Sequence, residues 1–175
     1  MRVDEAIRDE FPVEGRRWAY EAENEVIIAL DRRDEAAVAL AAARKRVDEA
    51  ERAREVANKN GKAQEPAKAL VAWREELRRH ASAELDAAEV GVYCARVSFE
   101  LTKARLAVRF GFPVKENYVQ PFEAQYESCA KEQAQAAQSV REAEERAAKA
   151  LEAWRDSRRS YVTQTGDHDH GLWID

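Results

Sequence analysis

Apolar residues recur at alternating spacings of four and three along two long segments of this chain, which is the heptad pattern of a coiled coil. In the first segment the pattern runs from Ala22 to Ala57, and in the last it runs from Phe122 to Trp154. Alanine fills one seam position of the first segment almost throughout, and small seam residues allow helix axes to approach closely. Both segments are therefore predicted to be long helices that pack through a narrow apolar face.

The segment between them carries two apolar stripes instead of one. The first stripe is Leu85, Ala88, Val92, Ala95, Phe99, Thr102 and Leu106, and the second is Ala87, Val90, Cys94, Val97, Leu101, Ala104 and Val108. A helix with two adjacent apolar faces is packed by two neighbours. The middle segment is therefore predicted to lie between the other two.

Proline and glycine mark the ends of these segments. Pro66 and Pro121 suit the first turn of a helix, and Gly61 and Gly111 suit the residue that follows one. These signals predict three helices, over residues 16–58, 66–110 and 121–160. Helices of matched length joined by short connections form an antiparallel bundle. The fold is therefore predicted to be all-α, an elongated antiparallel three-helix coiled-coil bundle; the alternative is a helical hairpin whose third helix packs on a partner chain.

Two flanking segments complete the predicted organisation. Residues 1–15 form an N-terminal segment, in which residues 2–10 could add a short helix. Residues 16–160 form the bundle, and residues 161–175 form an extended C-terminal docking tail.

A short motif, Phe-Pro-Val, occurs at residues 11–13 and again at residues 112–114, each time before a predicted helix. The first and third helices of an antiparallel bundle begin at the same end, so the two motifs are expected to be neighbours. We interpret them as apolar plugs that close this end, in the manner of a hydrophobic staple. The alternative is a recognition surface, whose candidate partner-binding residues are Phe11, Val13, Phe112 and Val114.

The tail, TGDHDHGLWID, holds the remaining candidate residues. His168 and His170 are weak metal-ligand candidates, because structural zinc requires about four ligands, and no metal site is predicted. Leu172, Trp173 and Ile174 are three consecutive apolar residues. Leaving each large apolar side chain in water costs roughly 1.5–3 kcal/mol relative to burial. These three residues are therefore predicted to dock, either on their own bundle or on a partner.

Composition narrows the function classes. Charged residues make up 36% of the chain and the net charge is −5, with acids and bases interspersed. No basic block is present that would bind nucleic acid through its phosphates. No run approaches the ~20 apolar residues of a membrane span, and no secretory signal is recognisable. The protein is predicted to be cytoplasmic, or part of a soluble-derived assembly.

Motifs of enzyme chemistry are missing from the sequence, which has no Gly-rich phosphate loop, no GxSxG and no HExxH. His80 falls at a seam position and is interpreted as a packing residue. We therefore expect no enzymatic activity, no cofactor and no small-molecule substrate.

The two cysteines, Cys94 and Cys129, fall in different predicted helices. Counting residues from the turn between these helices places the cysteines roughly 12 Å apart along the helix axes. A disulfide requires Cα atoms within about 7 Å. The cysteines are therefore predicted to be free, buried thiols that pack as small apolar residues.

These observations favour a non-catalytic structural or adaptor subunit of a larger protein assembly, a rigid helical rod with docking contacts at its ends. Its partners would be other proteins or further copies of the chain. The first alternative is a regulatory module that sequesters a protein partner, as an inhibitor or a chaperone does. The second alternative is a bundle that remodels membranes, which the basic residues of the middle segment favour and its interspersed acids oppose.

Overall fold

A computed structural model describes residues 11–168, and over this range the chain forms three long α-helices. They are α1 (Val13–Asn60), α2 (Gln64–Arg109) and α3 (Gln120–Thr165). The predicted all-α, antiparallel three-helix bundle is confirmed. The bounds differ at the outer ends, since α1 begins three residues earlier than predicted and α3 continues five residues into the predicted tail.

Glycine ends the helices where the sequence predicts. Gly111 adopts a left-handed conformation with φ of +74°, and Gly61 does so with φ of +67°. Beyond Gly111, the backbone N–H of Phe112 donates a hydrogen bond of 2.9 Å to the carbonyl of Ala107. This bond closes a Schellman cap, which satisfies a carbonyl at the end of α2 and turns the chain back. The cap thereby sets the position of Phe112.

The folded chain divides into two compact units, and each helix contributes one part to each unit. Within the described residues, the first unit comprises residues 11–35 together with Asp86–Ala137. The second unit comprises Ala36–Leu85 together with residues 138–168. We describe each unit by itself.

In the first unit, the beginning of α1, the end of α2 and the beginning of α3 lie together. A guanidinium nitrogen of Arg109 on α2 lies 3.4 Å from a carboxylate oxygen of Glu14 on α1. Arg105 on α2 makes an ion pair of 3.0 Å with Glu123 on α3. These contacts join the end of α2 to the beginnings of both neighbours, so α2 runs antiparallel to both.

In the second unit, the core combines small residues with two stacked indoles. Ala50, Ala67 and Leu70 have no exposed surface. The rings of Trp73 on α2 and Trp154 on α3 stack with centroids 5.0 Å apart and planes 18° apart. Alanine at the seam therefore allows the helices to approach closely, and the indoles fill the wider gap between α2 and α3.

Arg74 is a buried charge in the second unit, with 3% of its surface exposed. Its guanidinium carbon lies 4.3 Å from the centroid of the Trp73 ring, a cation–π contact. Burial lowers the pKa of the Arg74 guanidinium, the positive charge of Arg46 lowers it further, and Glu49 opposes both effects. The cation–π contact with Trp73 thus stabilises the positive charge of Arg74, which burial in the core otherwise disfavours.

Two glycines test the packing of the first unit. A Cβ atom built on Gly15 would lie 2.6 Å from Cε2 of Phe110, whereas one built on Gly91 meets nothing within 4 Å. Gly91→Ala should raise the free energy of unfolding by about 0.5–1 kcal/mol, since alanine favours a helix interior. Gly15→Ala should lower it by about 1–2 kcal/mol, because overpacking outweighs the helical gain. Urea unfolding of both variants checks this, and equal stabilisation by both would contradict the Gly15–Phe110 contact.

Candidate functional site

The two Phe-Pro-Val motifs lie side by side in the first unit, as the sequence predicts. The rings of Phe11 and Phe112 are in contact, with centroids 5.2 Å apart. Phe110 joins them, with its centroid 5.9 Å from that of Phe11. Together with Leu106 and Trp18, these rings build the apolar cluster of this unit. The prediction that the motifs are neighbours is confirmed.

The phenylalanines and the valines of the motifs have different surroundings. Phe11 is buried and Phe112 is half-buried, so both rings act as packing residues. Val13 is 76% exposed and Val114 is 37% exposed. The motifs therefore combine an inner aromatic plug with apolar surface. That the four residues bind a partner remains a prediction.

Large apolar side chains are exposed mainly in the first unit. Eleven large apolar residues in the described range are exposed, and nine of them belong to the first unit although the two units are of similar size. The nine are Val13, Tyr20, Ile27, Ile28, Tyr93, Val108, Val114, Tyr118 and Tyr126. A concentration of exposed apolar residues marks an interaction surface more often than single scattered residues do. The first unit is therefore the candidate docking region.

Three of these residues form a line along α1. Val13, Tyr20 and Ile27 are spaced by seven residues, so they lie on one side of the helix. They are exposed, whereas Val26 and the other buried residues of α1 face the core. The buried seam was predicted from the sequence, but this exposed stripe was not. The pattern that could have revealed the stripe is a second seven-residue spacing of apolar residues outside the seam.

A groove of about 490 Å³ lies between α1 and α2 in the first unit. Its apolar and small polar lining is Trp18, Ala22, Thr102 and Leu106, and its charged lining is Glu21, Glu25, Arg105 and Arg109. The acids come from α1 and the bases from α2. The guanidinium carbon of Arg109 lies 4.4 Å from the centroid of the Trp18 ring. An occupant would therefore meet an indole and both signs of charge.

The cysteines form a second feature of the first unit. Cys94 on α2 and Cys129 on α3 are free and buried, which confirms the prediction of two free thiols. The predicted separation is wrong. The two residues share one apolar cluster with Val97, and the Cys129 side chain contributes to the raised pKa of Cys94.

The error has a physical reason. Cys94 lies 15 residues before the end of α2, and Cys129 lies 9 residues after the beginning of α3. Counting from the turn assumed that the two helix ends are level. Because the cysteines meet, α2 extends about 9 Å beyond the beginning of α3, and residues 110–119 span the difference.

The thiols face a cleft of about 470 Å³ between the helices of the first unit. Much of its lining is small: Ala29, Ala87, Ala88, Gly91, Ala95 and Ala130. Burial raises the pKa of Cys94 to about 12, and the hydrogen bond to Cys129 and the negative charge of Glu132 act in the same direction. Cys94 therefore remains a neutral thiol at physiological pH.

Of the two tail histidines, the structure describes His168. His168 lies beside Arg155, Arg158 and Arg159 around a groove at the end of α3, where the arginines disfavour a cation. Between residues 11 and 168, no three His, Cys, Asp or Glu side chains are grouped so as to hold a metal ion. His80 is half-buried on α2, with Nδ1 3.7 Å from a carboxylate oxygen of Glu84. The other tail candidates, His170, Leu172, Trp173 and Ile174, lie outside the described residues.

Comparison of the chain with protein-family models, with characterised proteins and with solved structures finds no match. Within the described part of the chain, no helix contains a stretch long and apolar enough to cross a membrane. The function is therefore inferred from the surfaces of the chain itself.

The Cys94 thiol should make stability depend on alkaline pH. Its pKa is raised from 9.0 to about 12 on folding, so the unfolded chain loses this proton first as pH rises. The contribution of the protonated Cys94 thiol to the free energy of unfolding is fully present below pH 9. By pH 10.5 this contribution falls by about 2 kcal/mol. Urea unfolding at pH 8 and pH 10.5 measures the loss, with Cys94→Ala as the control for other alkaline groups. An equal loss in the variant would show that Cys94 contributes nothing.

Proposed function

We propose that this chain is a non-catalytic structural or adaptor subunit of a larger protein assembly, and that it docks a protein partner through its first unit. The observation that carries the proposal is the distribution of exposed apolar residues. Of the eleven found between residues 11 and 168, nine lie in the first unit and two, Val38 and Val56, lie in the second.

The stripe on α1 gives the contact its form. Val13, Tyr20 and Ile27 present one apolar side chain every second helical turn, which is the spacing with which one helix packs against another. Tyrosine suits this position, because its ring adds apolar area and its hydroxyl can remain hydrogen-bonded. The proposed partner therefore contributes a helix to the contact.

Charges elsewhere on the first unit would give specificity. Glu21 and Glu25 on α1 and Arg105 and Arg109 on α2 surround the groove between these helices, which lies on a different side of α1 from the stripe. Such exposed charges add little affinity, but they select partners with complementary charge and speed association. A partner helix with bases toward α1 and acids toward α2 fits this arrangement best.

The second unit has the character of a structural element. Its core holds the stacked Trp73 and Trp154 and the buried Arg74, and its described residues expose few large apolar side chains.

In the first unit, the buried thiol of Cys94 supports a role without catalysis, because a thiol with a raised pKa is a poor nucleophile. Two free cysteines are also in keeping with the reducing cytoplasm, where we place the assembly.

Two matched substitutions test the proposal. Ile27 is 50% exposed in the first unit and Val56 is 56% exposed in the second, so either can become lysine without loss of the core. In extract of the source cells, the native chain should migrate in size-exclusion chromatography well above the mass of a monomer. Ile27→Lys should shift most of it to the monomer position, and Val56→Lys should leave the assembly intact. A tenfold loss of affinity corresponds to about 1.4 kcal/mol, which one buried isoleucine can supply.

Circular dichroism of both purified variants shows whether the fold is retained. A native chain that migrates as a monomer in extract would contradict the proposal. So would equal retention of the assembly by both variants.

A further inference from the structure

Two buried thiols from different helices meet in the first unit. Cys94 on α2 is 5% exposed and Cys129 on α3 is 2% exposed, and both belong to one apolar cluster. They are the only two cysteines in the sequence. Because the two side chains belong to one buried cluster and line the same cleft, we expect a bond between the two sulfurs to require little movement of either helix.

We propose that Cys94 and Cys129 are a modification site, at which a hydroperoxide oxidises the thiol pair to a reversible disulfide that links α2 to α3. The proposal is independent of the docking surface and rests on the placement of the two sulfurs beside a cleft.

The cleft gives a small oxidant access to the thiols. Both cysteines line it, and most of its other lining is alanine or glycine, which leaves about 470 Å³ between the helices. Hydrogen peroxide is only slightly larger than water, so it fits a space of this size. A bulky thiol reagent or a second protein would not reach sulfurs that are almost fully buried. The site therefore selects small peroxides over protein disulfides.

The reaction balances with one peroxide for each pair of thiols. The Cys129 sulfur attacks one peroxide oxygen; the O–O bond breaks, and the leaving hydroxide takes the proton of the Cys129 thiol to become water. Cys129 is then a sulfenic acid. The Cys94 sulfur attacks the Cys129 sulfur, the S–O bond breaks, and the hydroxyl leaves as water with the thiol proton. Two thiols are oxidised, and the peroxide is reduced to two water molecules.

The surroundings of Cys94 assign the two roles. Cys94 keeps its proton, because burial raises its pKa and the Cys129 side chain and Glu132 act in the same direction. Cys129 is therefore assigned as the cysteine that reacts first, and Cys94 acts second as the resolving cysteine. Burial also makes the first step slow, so the pair should respond to sustained exposure to peroxide.

The disulfide would close a loop that contains the connection of residues 110–119 and Phe112. A link across such a loop restricts the unfolded chain and holds the beginning of α3 against α2. The oxidised protein should therefore unfold roughly 5–15 °C higher than the reduced protein.

The experiment treats the full-length, reduced protein with hydrogen peroxide at neutral pH. Intact mass should fall by two hydrogen atoms, and digestion without reductant should yield a peptide pair joined through Cys94 and Cys129. The melting temperature should rise, and dithiothreitol should restore both the mass and the original melting temperature. Cys94→Ala should instead gain oxygen at Cys129 and show no rise in melting temperature.

Three results would overturn the proposal. The first is that a peroxide treatment that fully oxidises a free peptide thiol leaves both thiols of the wild-type protein reduced. Both thiols would then react with an alkylating reagent after the treated protein is unfolded. The second is a gain of oxygen atoms without loss of hydrogen, and the third is a disulfide between chains only. These results come from the wild-type protein, so they decide the proposal even where an alanine variant fails to fold.

Discussion

Burial of α2 by two neighbours is the constraint on which the rest of the structure depends. Phe99, Leu70 and Leu106 are the largest side chains of the described range with almost no exposed surface, and all three belong to α2. Most of the stability of a helix in a folded protein comes from tertiary packing. The helix α2 receives this packing from α1 and α3 in both units. The outer helices each bury one seam and leave their other faces to solvent or to partners.

This division of roles explains how function can differ between two units built from the same helices. In the described part of the second unit, Val38 and Val56 are the exposed large apolar residues, and apolar bulk lies inside, in the Trp73–Trp154 stack. In the first unit the outer faces retain tyrosine, isoleucine and valine, and the core keeps a cleft beside Cys94 and Cys129. Under the proposed function, stability and recognition thus occupy different parts of the chain, and a surface substitution in the first unit should alter recognition without unfolding the core.

The fold could be predicted from the sequence because each of its determinants is local. Heptad spacing specifies the buried faces, and Gly61 and Gly111 end helices through the left-handed conformation they adopt. The register between α2 and α3 could not be predicted, because side-chain packing sets it and the connection only has to be long enough. The contact between the two cysteines depends on that register, and the exposure of Tyr126, which continues the seam of α3 in sequence, was likewise not predicted.

Amide hydrogen exchange of the full chain, followed by mass spectrometry, tests most directly whether α2 is the helix that both neighbours bury. Exchange reports local opening, which is rarest where an element is packed on several sides. The account predicts that in the first unit residues 92–106 of α2 exchange more slowly than residues 13–35 of α1 and residues 120–137 of α3. Exchange in α2 as fast as in either outer helix would contradict it.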